Sequence, residues 1–292
     1  MINLSKTRPR GIIWLASYPR SGMTWVQAFI YGLVKTLSDP DFEELYIERI
    51  GDFSDSEHSA GQYKSHLGKP AFRATPAEIA AVRPKVQADI AARWKRPVFV
   101  GTHNANAIDY GYPLVNLSVS AGAVYLLRNP LDVAVSLAHF RGLSIDQAIE
   151  EMAVSGFAIA PDRENVRVVA ASWSENVRSW TEHPHPVVLV TRYEDLAEKP
   201  AESFRAIARH LLMTPSDEQL GKVIAMAAFD RLREQEAADG FAGRPETSAE
   251  PFFRVGQPGR WRDVLTPSQV DRVVSAHRPM MKKFGYLPEG TA

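Results

Sequence analysis

The stretch Gly11-Ile12-Ile13-Trp14-Leu15-Ala16-Ser17-Tyr18-Pro19-Arg20-Ser21-Gly22-Met23-Thr24-Trp25 constrains the fold of this chain more than any other. An apolar run stops at Tyr18-Pro19, turns through Ser21-Gly22 and opens into the helical-period series Val26, Phe29, Ile30, Leu33, Val34. This pattern predicts a buried strand, a loop of phosphate size and the start of a helix. Amides at a helix N-terminus point into such a loop and carry the positive end of the dipole, so the loop favours an anion.

Against the ordinary nucleotide loop, G-x-x-x-x-G-K followed by Ser or Thr, Ser17 takes the first glycine position and Gly22 is kept. Met23 stands where the lysine belongs, and Thr24 holds the hydroxyl position. The cation has moved into the turn as Arg20.

Three further apolar runs, residues 97 to 101, 122 to 127 and 186 to 191, read as buried strands like 11 to 17. Helix starts are written at Thr75-Pro76, Asn129-Pro130, Thr214-Pro215 and Thr266-Pro267, each a capping side chain before proline. Continuous apolar strands alternating with helices predict an α/β fold with a central parallel β-sheet flanked by helices. With 292 residues and 45% apolar content the chain fits one domain, 1–292, with a polar tail at 1–10. Residues 52 to 74 and 239 to 260 carry the fewest order signals, and either could cover a site.

Basic and acidic residues balance at 34 each, so nucleic acid is not an expected partner. Cysteine is absent, which excludes thiol nucleophiles and cysteine metal sites. No run approaches the ~18 apolar residues of a membrane span, and the N-terminus lacks a signal-peptide core. A cytoplasmic location follows as the expectation.

Ligands of parallel sheets gather at the strands' carboxyl ends. Here those ends carry the Arg20 loop, then Gly101-Thr102-His103-Asn104, then Arg128-Asn129-Pro130-Leu131-Asp132 with Ser136 two turns into a helix, then Arg192-Tyr193-Glu194-Asp195. Cations and an imidazole stand where a magnesium-dependent phosphoryl-transfer site would want carboxylates. His103 is the candidate general base, since an imidazole takes a hydroxyl proton near neutral pH.

The first loop resembles the phosphosulfate loop, Tyr-Pro-Lys-Ser-Gly-Thr-Thr-Trp, of sulfotransferases that use 3′-phosphoadenosine 5′-phosphosulfate (PAPS), with Arg20 for lysine and Met23 for threonine. Arg128 to Ser136 resembles the same family's Arg-Asn-Pro-x-Asp-x-x-x-Ser motif, and Arg254-Val255-Gly256-Gln257-Pro258-Gly259-Arg260-Trp261 resembles its C-terminal Arg-Lys-Gly-x-x-Gly-x-Trp loop. Val255 replaces a lysine there. The resemblance implies a PAPS donor with no metal required, a small hydroxyl acceptor, and product 3′-phosphoadenosine 5′-phosphate (PAP). It implies that Arg20, Ser21, Gly22, Met23 and Thr24 hold the 5′-phosphosulfate end, and that Arg128, Ser136, Arg254, Val255 and Gly256 surround the 3′-phosphate. Trp25 and Phe229 match positions that sandwich adenine, although aromatics after apolar runs are more often core. Tyr193 matches a tyrosine facing the nucleotide. Thr102-His103 matches the family's Lys-Thr-His, with Gly101 in the lysine position, which implies His103 and Arg20 as the catalytic pair. The family's Thr-Ser before Phe229 is Ala227-Ala228, and the stretch Ser172 to Trp180 is similar to bacterial enzymes that sulfate glycopeptide antibiotics. Two other functions fit parts of the pattern. A magnesium-dependent kinase would use the first loop with Asp195, and a non-catalytic PAPS-binding module would need no His103.

Overall fold

The computed structural model describes residues 11–244 and 251–290. The predicted tail, 1–10, and residues 245–250 of the predicted covering segment lie outside the described residues. Five strands form one parallel sheet in the order β2 (Ser54–Ser56), β3 (Val98–Thr102), β1 (Ile12–Ser17), β6 (Ser120–Leu127), β9 (Val188–Arg192). Two short antiparallel ribbons accompany it: β4 (Ile108–Asp109) with β5 (Tyr112–Pro113), and β7 (Ala158–Ile159) with β8 (Val168–Val169).

One face of the sheet packs on α1 (Met23–Ser38), α7 (Tyr193–Glu198), α8 (Pro200–His210), α9 (Asp217–Met226) and α10 (Phe229–Asp239). The other packs on α3 (Pro76–Arg93), α4 (Pro130–Arg141), α5 (Ile145–Ala153), α6 (Trp173–Thr181) and α12 (Pro267–Lys283). Single turns, α2 (Lys64–Leu67) and α11 (Trp261–Val264), precede α3 and α12. Strand β1 shows the division residue by residue. Ile12, Trp14 and Ala16 enter one core while Ile13 and Leu15 enter the other, as the two-residue period of a strand buried on both faces requires. Trp173 and Trp180, seven apart on α6, both serve the core.

The four predicted strands are present, and the capped starts of α3, α4 and α12 fall on Thr75, Asn129 and Thr266. The start predicted at Thr214-Pro215 is corrected: α9 begins at Asp217 behind Ser216. A reciprocal cap needs Glu or Gln three residues after the hydroxyl. Ser216 has Gln219 there, and their side chains and amides exchange hydrogen bonds at 3.0 and 3.1 Å. Strand β2 was missed within 52 to 74 because Ser54-Asp55-Ser56 has no apolar run and joins the sheet only by pairing with β3.

Candidate active site

Strand β1 lies between β3 and β6, with Ala16 opposite Thr102 and Ser17 opposite Leu126. The next residues of all three strands, Tyr18, His103 and Arg128, therefore leave the sheet at one edge, where the strand order reverses. Beneath that edge opens a cavity of about 730 Å³, lined among others by Arg20, Gly22, Met23, Thr24 and Trp25. It is also lined by His103, Arg128, Ser136, Tyr193, Phe229, Arg254, Val255 and Gly256. Ser21 is buried in the loop itself. The structure thus brings every sequence-predicted site residue to one place.

The loop turns where the backbone of Arg20 (φ 66°) and Gly22 (φ 101°) enters the left-handed region. A Cβ at Gly22 would stand 2.7 Å from the Tyr193 ring, so only glycine fits. Unlike α3, whose first turn is closed by Thr75 and Glu78, α1 has no side-chain cap. Its first amides are left for a ligand. Ser21 Oγ and Arg128 Nε are buried with no hydrogen-bond partner among the described residues. Buried donors need acceptors, and phosphate oxygens fit both.

The Arg20 side chain is held by partners from distant parts of the chain. Its Nε donates to Ser136 Oγ at 3.1 Å and its Nη2 to the Phe252 carbonyl at 3.1 Å. The guanidinium lies between the rings of Phe140 and Phe252, 4.4 and 4.3 Å from their centroids. The aromatic faces and two hydrogen bonds stabilise the charge in that position. Arg20 and Ser136, assigned to opposite phosphates, are direct partners. Burial, with Arg128 and Arg254 nearby, lowers the Arg20 pKa to about 10, which leaves it charged at neutral pH. Arg128 stacks over Tyr193 at 4.1 Å and donates from Nη1 to the Arg20 carbonyl at 2.9 Å. Three arginines kept close together with a helix N-terminus make a site for a polyanion.

Trp25 and Phe229 line the cavity but are not parallel plates: their rings meet at 84° with centroids 6.3 Å apart. Trp25 also donates from Nε1 to the Ala227 carbonyl at 2.8 Å, which fixes it as a packed wall. Phe229 lies against Gly256, where a Cβ would come within 2.5 Å of its ring.

Two carboxylates that sequence reasoning did not assign hold the C-terminal loop over the cavity. Glu236 accepts the amides of Phe252 and Phe253 at 2.6 and 2.7 Å. Asp132 accepts those of Gly259 and Trp261 at 2.7 and 3.0 Å. Tyr193 adds a third tie, donating to the Gly256 carbonyl at 2.7 Å. Arg254 and Val255 lie between these ties, and Gly256 carries the third. The only local signal was the Asp of Arg-Asn-Pro-x-Asp.

His103 Nδ1 lies 2.9 Å from the Ser17 carbonyl. A carbonyl only accepts, so Nδ1 carries the proton and Nε2 keeps its lone pair. Burial, and then the nearby His58 and Arg20, lower the His103 pKa from 6.5 to about 4. The imidazole is therefore a neutral base at pH 7. A base is lost when protonated, so transfer is expected to stay level from neutrality to roughly one unit above that pKa and fall below it. A pH–rate profile whose acid limb centres on the ordinary 6.5 would contradict this environment.

Beneath His103 lies a buried network that the sequence did not reveal. Glu57 Oε1 accepts from Thr102 Oγ1 at 3.1 Å and from Asn104 Nδ2 at 2.6 Å, the residues on either side of His103. Its Oε2 pairs with Arg83 Nη1 at 2.7 Å, and both side chains are almost fully buried. Asn176 Nδ2 donates to the His103 carbonyl at 3.1 Å. The backbone carrying the base is thus held on three sides.

The carboxylates a kinase would use lie elsewhere. Glu194 accepts from the Asn129 amide at 2.9 Å and the Tyr286 hydroxyl at 2.7 Å, and Asp195 does not line the cavity.

Comparison with known proteins agrees with this geometry. Dog (Canis lupus familiaris) Sulfotransferase 1B1 is 27% identical over 277 residues, covering 91% of this chain and 81% of the relative. Flavonol 3-sulfotransferase of Flaveria bidentis is 23% identical over 280 residues, covering 89% and 78%. A structure of retinol dehydratase in a complex with retinol and PAP matches with a TM-score of 0.62 at 20% identity, covering 96% of this chain and 84% of that one. A mouse sulfotransferase complexed with PAP matches at 0.59 and 20%, covering 96% and 88%. At these identities the two structures establish a shared fold. The sulfotransferase domain model matches residues 11–285, from the residue before β1 to the turn after α12 and through the whole cavity. On that match the chain belongs to the sulfotransferase family.

Proposed function

We propose that the cavity transfers a sulfuryl group from PAPS to a small hydroxyl acceptor, with His103 as general base. The observation that carries this is the meeting of two unpartnered buried donors, Ser21 Oγ and Arg128 Nε, with an uncapped helix N-terminus, beside an imidazole whose Nε2 is held as an acceptor. In this reading Arg128, Ser136, Arg254 and the Gly256 amide take the 3′-phosphate, and the loop amides with Thr24 take the 5′-phosphate. Arg20 leaves Ser136 to neutralise charge developing on the bridging oxygen. His103 takes the acceptor's proton at Nε2. Sulfuryl transfer needs alignment and charge neutralisation, which this chain's own cations supply. Turnover is therefore expected to survive chelation of metal ions.

No helix among the described residues is long and apolar enough to cross a membrane. A single domain over residues 1–292 and a cytoplasmic location belong to the same proposal.

Calorimetry tests the nucleotide half. PAP is expected to bind far more tightly than 5′-AMP. Losing one charge-assisted hydrogen bond costs about 1.5 to 3 kcal/mol, so Arg128→Ala is expected to weaken PAP binding roughly tenfold or more. Equal affinity for the two nucleotides would remove the 3′-phosphate site.

A further inference from the structure

We infer that Glu194 is a positioning residue for the 3′-phosphate end of the nucleotide: its carboxylate fixes the turn from which Arg128 reaches the cavity, and Tyr286 and Arg192 fix the carboxylate. This rests on the proposed assignment of Arg128 to the 3′-phosphate and adds the device that holds it there.

Strands β6 and β9 pair as far as Leu127 opposite Arg192. Beyond that pair neither segment continues the sheet, because Pro130 opens α4 and Tyr193 opens α7. The two segments nevertheless stay side by side. Arg128 lies over the Tyr193 ring, 4.1 Å from its centroid, and the Asn129 amide donates to Glu194 Oε1 at 2.9 Å. An amide in a strand-to-helix turn belongs to neither ladder nor helix, and one shielded from water needs another acceptor. Glu194 is that acceptor, and an ionised acceptor makes the stronger bond. The Asn129 side chain is committed to α4, where its Oδ1 accepts from the Leu131 amide at 3.0 Å. The residue after Arg128 is therefore held twice, by its amide and by its cap.

The carboxylate is itself immobilised. Only 13% of the Glu194 side chain is exposed, and its Oε2 lies 3.8 Å from Arg192 Nε. That oxygen also accepts from the Tyr286 hydroxyl at 2.7 Å. Arg192 Nε donates to the Tyr286 oxygen at 3.2 Å, and its guanidinium stacks on the Tyr286 ring, 4.5 Å from the centroid. Among the described residues Glu194 pairs with Arg192 and not with Arg128. It thus fixes Arg128 through the backbone without neutralising the charge that a phosphate needs.

Arg128 has to be aimed. Its Nη1 is committed to the Arg20 carbonyl at 2.9 Å, while Nε is buried and unpartnered. A planar guanidinium binds an anion well only in its own plane, so a shift of its base costs the bond. Tyr193 is held separately, by its hydroxyl on the Gly256 carbonyl at 2.7 Å and by Trp25, 5.6 Å away between centroids. Replacing Glu194 therefore loosens the turn under Arg128 and leaves the α1 loop in place. PAP, which carries both phosphates, is expected to lose affinity, and 5′-AMP is not.

Calorimetry with PAP and 5′-AMP on the wild type and three variants tests this. Glu194→Leu removes the acceptor of the Asn129 amide and is expected to weaken PAP roughly tenfold, while 5′-AMP stays within about twofold. Glu194→Gln keeps an oxygen for that amide and is expected to stay within about twofold of wild type for both nucleotides. Tyr286→Phe frees only Oε2 and is expected to weaken PAP roughly fivefold, again without affecting 5′-AMP. It supplies the comparison should the leucine variant not fold. Equal losses for the two nucleotides, or a glutamine variant no better than leucine, would overturn the positioning role. So would unchanged PAP affinity in a folded Glu194→Leu or, if that variant does not fold, in Tyr286→Phe. A wild-type protein that binds both nucleotides equally would instead remove the 3′-phosphate site, and with it the reading on which the inference rests.

Discussion

His103→Ala is expected to slow sulfuryl transfer by roughly 10² to 10⁴ while PAP affinity stays within about twofold of wild type. The separation follows from where the imidazole is held. Its Nδ1 is committed to the Ser17 carbonyl, and its free Nε2 is the atom left for an acceptor. The phosphates are assigned to Arg128, Arg254 and the loop. Arg20→Ala is expected to behave differently, weakening both binding and rate, because its charge acts on ground and transition states alike. Single-turnover transfer from labelled PAPS, with calorimetry on the same variants, resolves the two patterns. A folded His103→Ala protein transferring at the wild-type rate would remove the base and leave the nucleotide site standing.

Glu57→Leu is expected to destabilise the fold by about 3 to 5 kcal/mol, measured by urea unfolding, because it leaves Arg83 charged and buried without its partner. Burial alone would lower the Arg83 pKa, yet the charge and hydrogen bond of Glu57, together with Tyr63 and Asp109, raise it. The substitution also frees Thr102 and Asn104, the two residues that fix the backbone at His103. Replacing the pair together, Glu57→Leu with Arg83→Met, is expected to regain much of the stability, since no unpaired charge then remains. Near-equal stability of the single variant and the wild type would show that the pair contributes little to holding the site.

Particular residues show why some of this was legible in the sequence. The four long strands announce themselves because a parallel strand covered on both faces must be apolar throughout, as Ile12 to Ala16 are. The phosphate loop is legible because its turn demands residue types, above all Gly22 against Tyr193. Glu57 was not legible. It meets Thr102 from 45 positions away, and a lone glutamate among Ser, Asp and His carries no local sign of burial. Glu236 and Asp132 escaped for the same reason, since the amides they hold belong to distant loop residues. Arg20 was identified but not its direction, which Phe140 and Phe252 set from other parts of the chain. Residue types at a loop can be read locally, whereas a side chain's partner across the fold cannot.

The most direct measurement incubates the wild-type protein with PAPS labelled in the sulfuryl group and a mixture of phenols and alcohols, in the presence of EDTA. Label is expected to move to a hydroxyl compound in step with the formation of PAP. Label that stays on the nucleotide, together with turnover of ATP in a parallel incubation with magnesium and no EDTA that Asp195→Ala abolishes, would contradict sulfuryl transfer and favour a kinase.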